Sequence, residues 1–231
     1  MQSVEDIIQD PPLVHGGGRY VLSMHPAVLR FLDDAVAPGM KTLETGIGAS
    51  TAVFMLENTQ HICITPRQEQ FTLFTEYCAR KGLRTDSLEF HKGHSERVAP
   101  QLNAKELDVV LIDGGHGFPT PFIDWFYLAG DLKVGGIVLI DDVQIWTAKV
   151  LMQFLRQEPG WSQVGSLIGR TAVFQLTSPF EAKEHDLQPF VRRKSRFSGL
   201  AHDVREALSL TVQGDFKGLA KGIRKVVFKR R

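Results

Sequence analysis

Short apolar runs alternate with helix-like stretches from residue 40 to residue 157. This alternation limits the possible folds more than any other feature of the chain. Strands are predicted over residues 40–44, 61–65, 87–91, 107–113 and 137–140, with helices over 50–56, 67–81, 95–102, 119–132 and 146–157. Val109 to Ile112 are apolar without a break, which suits a strand covered on both faces, as parallel sheets require. Residues 161–168 and 170–176 then read as two strands in succession, and Gly169-Arg170 between them is short enough for a hairpin. The predicted architecture is therefore α/β: a doubly wound, mostly parallel seven-stranded sheet closed by an antiparallel hairpin at or near one edge. Ligands of such sheets sit beyond the carboxyl ends of the strands.

The chain holds 231 residues and is 43% apolar, enough for one core with an appendage. A helix is expected over 24–37, ended by Pro38-Gly39. Ahead of it, Pro11-Pro12 and His15-Gly16-Gly17-Gly18 make residues 1–24 a leader or a lid. The body spans 25–177, and 178–231 forms a C-terminal helical extension.

Formal net charge is +1, but 13 Lys+Arg and 6 Asp+Glu lie in residues 181–231, leaving 14 and 20 for residues 1–180. An acidic body thus carries a basic tail. Residues 215–231 have a clear helical period, with Phe216, Leu219, Ile223 and Val227 on one face. That helix could pack on the body, lie on an anionic membrane surface, or meet a partner or second subunit. Its cations are not interleaved with aromatics and fit no nucleic-acid module, so nucleic acid is not an expected partner. Two cysteines without metal spacing fit a reducing, cytoplasmic setting. The acidic N-terminus lacks the apolar centre of a signal peptide, and no run approaches membrane-spanning length.

The first strand runs into Glu44-Thr-Gly46-Ile-Gly48-Ala-Ser50-Thr51 and then a helix. Gly46 and Gly48 leave the turn bare, so backbone N–H groups can meet a ligand there, and Ser50 or Thr51 can cap the helix. Glu44 offers a carboxylate to whatever lies over the turn. At the other strand ends stand Thr65, His91, Asp113 and Asp141-Asp142. Carboxylates gathered at one rim repel unless a cation or proton sits among them. Oxygen ligands suit Mg²⁺ or a similar ion, although Asp141 could instead cap a helix and Asp142 face water. His116, three residues past Asp113, could serve as a general base or be plain surface.

The order of residues 43–50, 107–116 and 132–143 resembles the class I S-adenosylmethionine-dependent methyltransferases, and within them the small O-methyltransferases of the catechol type. The resemblance implies a Rossmann-like methyltransferase fold over roughly residues 25–176. It places Glu44, Gly46, Gly48, Ser50, Thr65, His94, Ser95 and Asp113 at the cofactor. It assigns Asp113, Asp141 and Asp142 to a Mg²⁺ ion, and His116 and Asp113 to catalysis on a small hydroxylated acceptor. Two positions depart from the family pattern. Thr65 stands where a ribose-binding acid is usual, and Gly93-His94-Ser95 lacks the usual adenine-side carboxylate. A non-catalytic scaffold or membrane-peripheral relative is the alternative, and homo-oligomers are compatible with either. A nicotinamide dehydrogenase is disfavoured by the absence of a third glycine after Gly48.

Overall fold

The computed structural model describes residues 2–14, 24–196, 198 and 205. In chain order the elements are α1 (Val4–Gln9), α2 (Pro26–Ala35), β1 (Lys41–Thr45), α3 (Ala49–Leu56), β2 (Gln60–Thr65), α4 (Gln68–Lys81) and β3 (Leu88–Lys92). There follow α5 (Ser95–Val98) with a 3-10 turn (Ala99–Gln101), β4 (Leu107–Ile112), α6 (Thr120–Ala129) and β5 (Leu132–Ile140). The last are α7 (Trp146–Leu155), β6 (Trp161–Leu167) and β7 (Thr171–Leu176). The sheet order is β3-β2-β1-β4-β5-β7-β6, the seven-stranded doubly wound sheet expected. β7 runs antiparallel to both neighbours and so lies one strand in from the edge. The strand order reverses between β1 and β4, which puts a crevice above their carboxyl ends.

Each strand displays alternate residues to the two faces. Register aligns Glu44 with Cys63 and Leu111, and Thr45 with Ile64 and Ile112. One face carries Cys63, Val109, Leu111, Leu139 and Val173 into a single apolar cluster with α1 to α4. Ile7, Leu29, Leu32, Phe54 and Phe74 are fully buried there, each adding about 1.5–3 kcal/mol by leaving water.

Two elements differ from the sequence reading. Residues 1–24 are read from sequence only as a leader or a lid, yet α1 folds within them and packs on α2 and α3. Its helix start is held by Ser3, whose backbone N–H donates to Asp6 at 2.8 Å, and Glu5 pairs with Arg30 of α2 at 2.6 Å. β5 begins at Leu132, where a helix end was expected. Gly135, at φ +90°, carries the strand through an irregular register against β4.

Residues 182–231 form a second unit, in which 189–196 is helical and bears Arg192, Arg193, Lys194 and Arg196. The helix expected over 215–231 and the His15–Gly18 loop lie outside the described residues. Among the described residues no helix is long and apolar enough to cross a membrane.

Candidate active site

The turn after β1 is fixed from below. Glu44 is 1% exposed and accepts hydrogen bonds from Ser50 Oγ at 2.6 Å and from Thr51 Oγ1. Thr51 Oγ1 in turn accepts from the Gly48 N–H at 2.8 Å. The carboxylate therefore braces the start of α3 and lies under the turn. Gly46 sits at φ +107°, and a Cβ there would stand 2.8 Å from the Asp113 carbonyl oxygen; only glycine meets both conditions. A Cβ on Gly48 would meet nothing within 4 Å, so the space above the turn is open.

His61 joins this support, a role the sequence reading missed. Thr59 Oγ1 donates to the Phe54 carbonyl at 3.1 Å, so Thr42 Oγ1 must donate to Thr59 at 3.0 Å. Thr42 can then only accept at 2.8 Å from His61 Nδ1, which must carry hydrogen. The other ring nitrogen faces Glu44 Oε1 at 3.2 Å. Phe54 stacks on the imidazole with ring centres 4.3 Å apart. A histidine in an apolar strand gives little local signal of such a partner.

Thr65 is buried and donates to Gln70 Oε1 of α4 at 2.7 Å. His94 lines a recess of about 580 Å³ with His91, Lys92 and Arg97 at the end of β3. Ser95, at the start of α5, is buried. A Cβ on Gly93 would stand 2.6 Å from Val98, which holds this turn close to α5.

At the rim, the sequence-predicted acids divide. Asp113 follows β4 and its carboxyl is pushed well up, by burial and by the Asp141, Glu44 and Asp142 charges. Asp141, expected as a metal ligand, accepts from Thr171 Oγ1 and is 8% exposed. Burial pushes its carboxyl up too. Asp142 sits at φ +53°. Its Oδ1 accepts from Gln144 at 2.6 Å and Arg170 at 2.7 Å, while Oδ2 faces His116 Nε2 at 3.3 Å. Burial works upward on Asp142, but the Arg170 and Gln144 hydrogen bonds and the His116 and Arg170 charges bring it below the usual carboxylate range.

Arg170 was read only as a turn residue. Because β7 starts where β5 ends, the hairpin returns this cation to the acids. Thr147 Oγ1 donates to the His116 carbonyl, fastening the loop to α7. Phe118 and Trp146 stand beside it, 71% and 66% exposed with ring centres 6.5 Å apart.

Asp113, His116 and Asp142 each offer one ligand atom, all within 4.8 Å of one another. Asp113 and Asp142 belong to the donor set the sequence suggested, and the imidazole is the third member of this group. The rim also suits a cationic ligand, since acids raised by burial and mutual repulsion are relieved by positive charge. The bare turn, the open space over Gly48 and this acidic rim fit an S-adenosyl group, with its sulfonium and ammonium charges.

Fold and strand order together define the class: a seven-stranded Rossmann-like sheet of the methyltransferase type. Residues 43–143 match the family described as a methyltransferase domain. No curated protein matches the chain by sequence. Among solved structures, the O-methyltransferase TomG from Streptomyces achromogenes, in complex with SAM, aligns at TM-score 0.57 and 14% identity over 68% of this chain and 82% of that one. A protein from Klebsiella pneumoniae proposed to be an O-methyltransferase aligns at 0.60 and 12% over 76% and 90%. A proposed rRNA methylase from Clostridium thermocellum aligns at 0.56 and 13% over 69% and 100%. At these identities the structures establish the shared fold.

Proposed function

We propose that this protein methylates a hydroxyl oxygen of a small acceptor, with His116 as the base. The observation that carries the reading is the His116–Asp142–Arg170 array beside Asp113, at the carboxyl ends of β4 and β5. When bound, S-adenosylmethionine supplies the methyl group that passes from sulfur to the acceptor oxygen. Gly46 and Gly48 keep the turn bare for it, and its positive charge would favour the ionised form of the raised Asp113 carboxyl. Asp142 faces Nε2 of His116, so Nδ1 takes the acceptor's proton and the carboxylate stabilises the imidazolium. Arg170 keeps Asp142 ionised. Phe118 and Trp146 give the acceptor an apolar footing next to the base. The rest of the work is positioning.

A second reading follows from the three convergent donor atoms. Asp113, His116 and Asp142 would hold a divalent ion such as Mg²⁺, and the imidazole would be a ligand. Arg170 and Gln144 already fill one oxygen of Asp142, which favours the proton-transfer reading.

The test is transfer of labelled methyl from S-adenosylmethionine to a panel of catechols, sugars, lipid-linked acceptors and RNA. Label in a small hydroxylated compound, lost in His116→Ala, is the expected result. Label in RNA alone would overturn the acceptor assignment, and binding without transfer to any acceptor would favour a non-catalytic role.

A further inference from the structure

Asp124 lies on α6, is fully buried, and neither carboxylate oxygen has a well-formed hydrogen bond. Its nearest polar influences are the hydroxyls of Thr45 and Ser95. Both stand at the crevice. Thr45 closes β1 immediately before the glycine turn, and Ser95 opens α5 immediately after His94. Thr45 also receives the Asp113 N–H, at 3.2 Å on its carbonyl and 3.3 Å on its hydroxyl. One carboxylate therefore lies beneath the turns that leave β1, β3 and β4. Gly114 belongs to the same seam, since a Cβ there would stand 3.0 Å from the Thr45 side chain.

Burying a carboxylate without partners is unfavourable, and a neutral residue of the same shape would fill the space more cheaply. Local rules of this kind are broken chiefly where a bound state uses the group.

We propose that Asp124 is a positioning residue for the adenosyl part of the cofactor: its carboxylate accepts from Thr45 and Ser95 and locks the turns after β1 and β3 into the arrangement the ligand needs. The proposal rests on the S-adenosylmethionine reading above. It also gives the β3 turn an acid from α6, since His94 occupies the position where a carboxylate was expected.

In the free protein burial pushes Asp124 up to about 6, and Glu96 of α5 adds to the rise. Other charges on the packed elements are engaged or face away. Arg97 of α5 lines the recess with His94. Asp108 of β4 pairs with Lys133 of β5. Lys149 of α7 is exposed, and the 3-10 turn carries no charge. Glu44 of β1 is bound on the opposite face by Ser50 and Thr51. Lys41 of β1 and Asp131 before β5 both lie at the far end of the sheet, Asp131 paired with Lys105. Asp113 and Asp141 sit beyond the strand ends at the rim.

Cofactor binding is then coupled to ionisation of Asp124. Affinity for S-adenosylhomocysteine should fall about ten-fold from pH 7.5 to pH 5 on this account. Calorimetric titration of the full chain at pH 5, 6 and 7.5, in two buffers of different ionisation enthalpy, reads both affinity and proton release. Wild type should release protons on binding near pH 6. Asp124→Asn should bind more weakly at pH 7.5, with a flattened pH profile and less proton release. Asp113 is unchanged in that variant, so the difference between the profiles belongs to Asp124. A folded Asp124→Asn protein with wild-type affinity and wild-type pH slope would overturn the proposal. If Asp124→Asn does not fold, Ser95→Ala decides: a wild-type slope there also overturns it. Wild type that binds no S-adenosylhomocysteine at any pH overturns the cofactor reading itself, and this inference with it.

Discussion

Replacing Asp124 by Asn should make the free protein more stable, and more so as pH rises. The carboxyl titrates at about 6 in the folded chain against 3.8 ordinarily, chiefly because it is buried. A raised acid pKa means that the folded state holds the proton more tightly than the unfolded one. The stability this gives is whole below about pH 4 and is lost as pH climbs through 6. The rise from 3.8 to about 6 corresponds to a loss of roughly 3 kcal/mol at pH 7.5, about half of it already present at pH 5. Asparagine has the same shape and no charge, so it escapes this loss. Urea unfolding of wild type and Asp124→Asn without ligand should show the variant's advantage growing by about 1–2 kcal/mol between pH 5 and pH 7.5. In thermal melts that growth is roughly 3–6 °C for a chain of this size. A variant whose offset from wild type is the same at both pH values would show that the carboxyl does not titrate in this range, and the reasoning from its burial would fail.

His116→Ala should lower kcat about 10²–10⁴-fold, as removal of a general base does, while S-adenosylhomocysteine affinity measured by calorimetry stays near wild type. Gly46→Ala combines a left-handed backbone with a close contact to the Asp113 carbonyl. It should lose about 1–3 kcal/mol or more of stability and its S-adenosylhomocysteine binding; a variant with a wild-type melt would refute the steric account. Methyl transfer should survive excess chelator because Arg170 already serves Asp142. Abolition by chelator with recovery on adding Mg²⁺ would establish the metal reading instead.

The fold was readable because its signals are local. Val109 to Ile112 form an unbroken apolar strand, Gly82 stops α4 in a left-handed cap, and Gly169 at φ +70° turns the last hairpin. Order along the chain then implied the sheet. The start of β5 was misread because residues 119–132 carry helix-like apolar spacing right up to the strand, and only Gly130-Asp131 separates the two. α1 was missed because six residues give too little period, and its stability comes from Ile7 packing on other elements. The candidate site was readable where a residue type sits at a strand end, as with Asp113 and Asp142. It was not readable where the partner is distant. Arg170 meets Asp142 across 28 residues, and Glu44 meets His61 across 17. Asp124 did carry a signal: it is the one charge in the apolar stretch Pro121 to Ala129.

The antiparallel course of β7 has a consequence for how this rim could be altered. A parallel strand delivers only its last residues to the crevice, but β7 delivers its first, on a turn of the chain's own making. The guanidinium there is a counter-charge on a tether. Lengthening or shortening the Ile168–Gly169 turn would slide it relative to Asp142 while Val173 and Phe174 stay seated in the interior. The electrostatics of the rim can in this way be retuned from an exposed bend, with the loops after β4 and β5 and the folded centre left as they are.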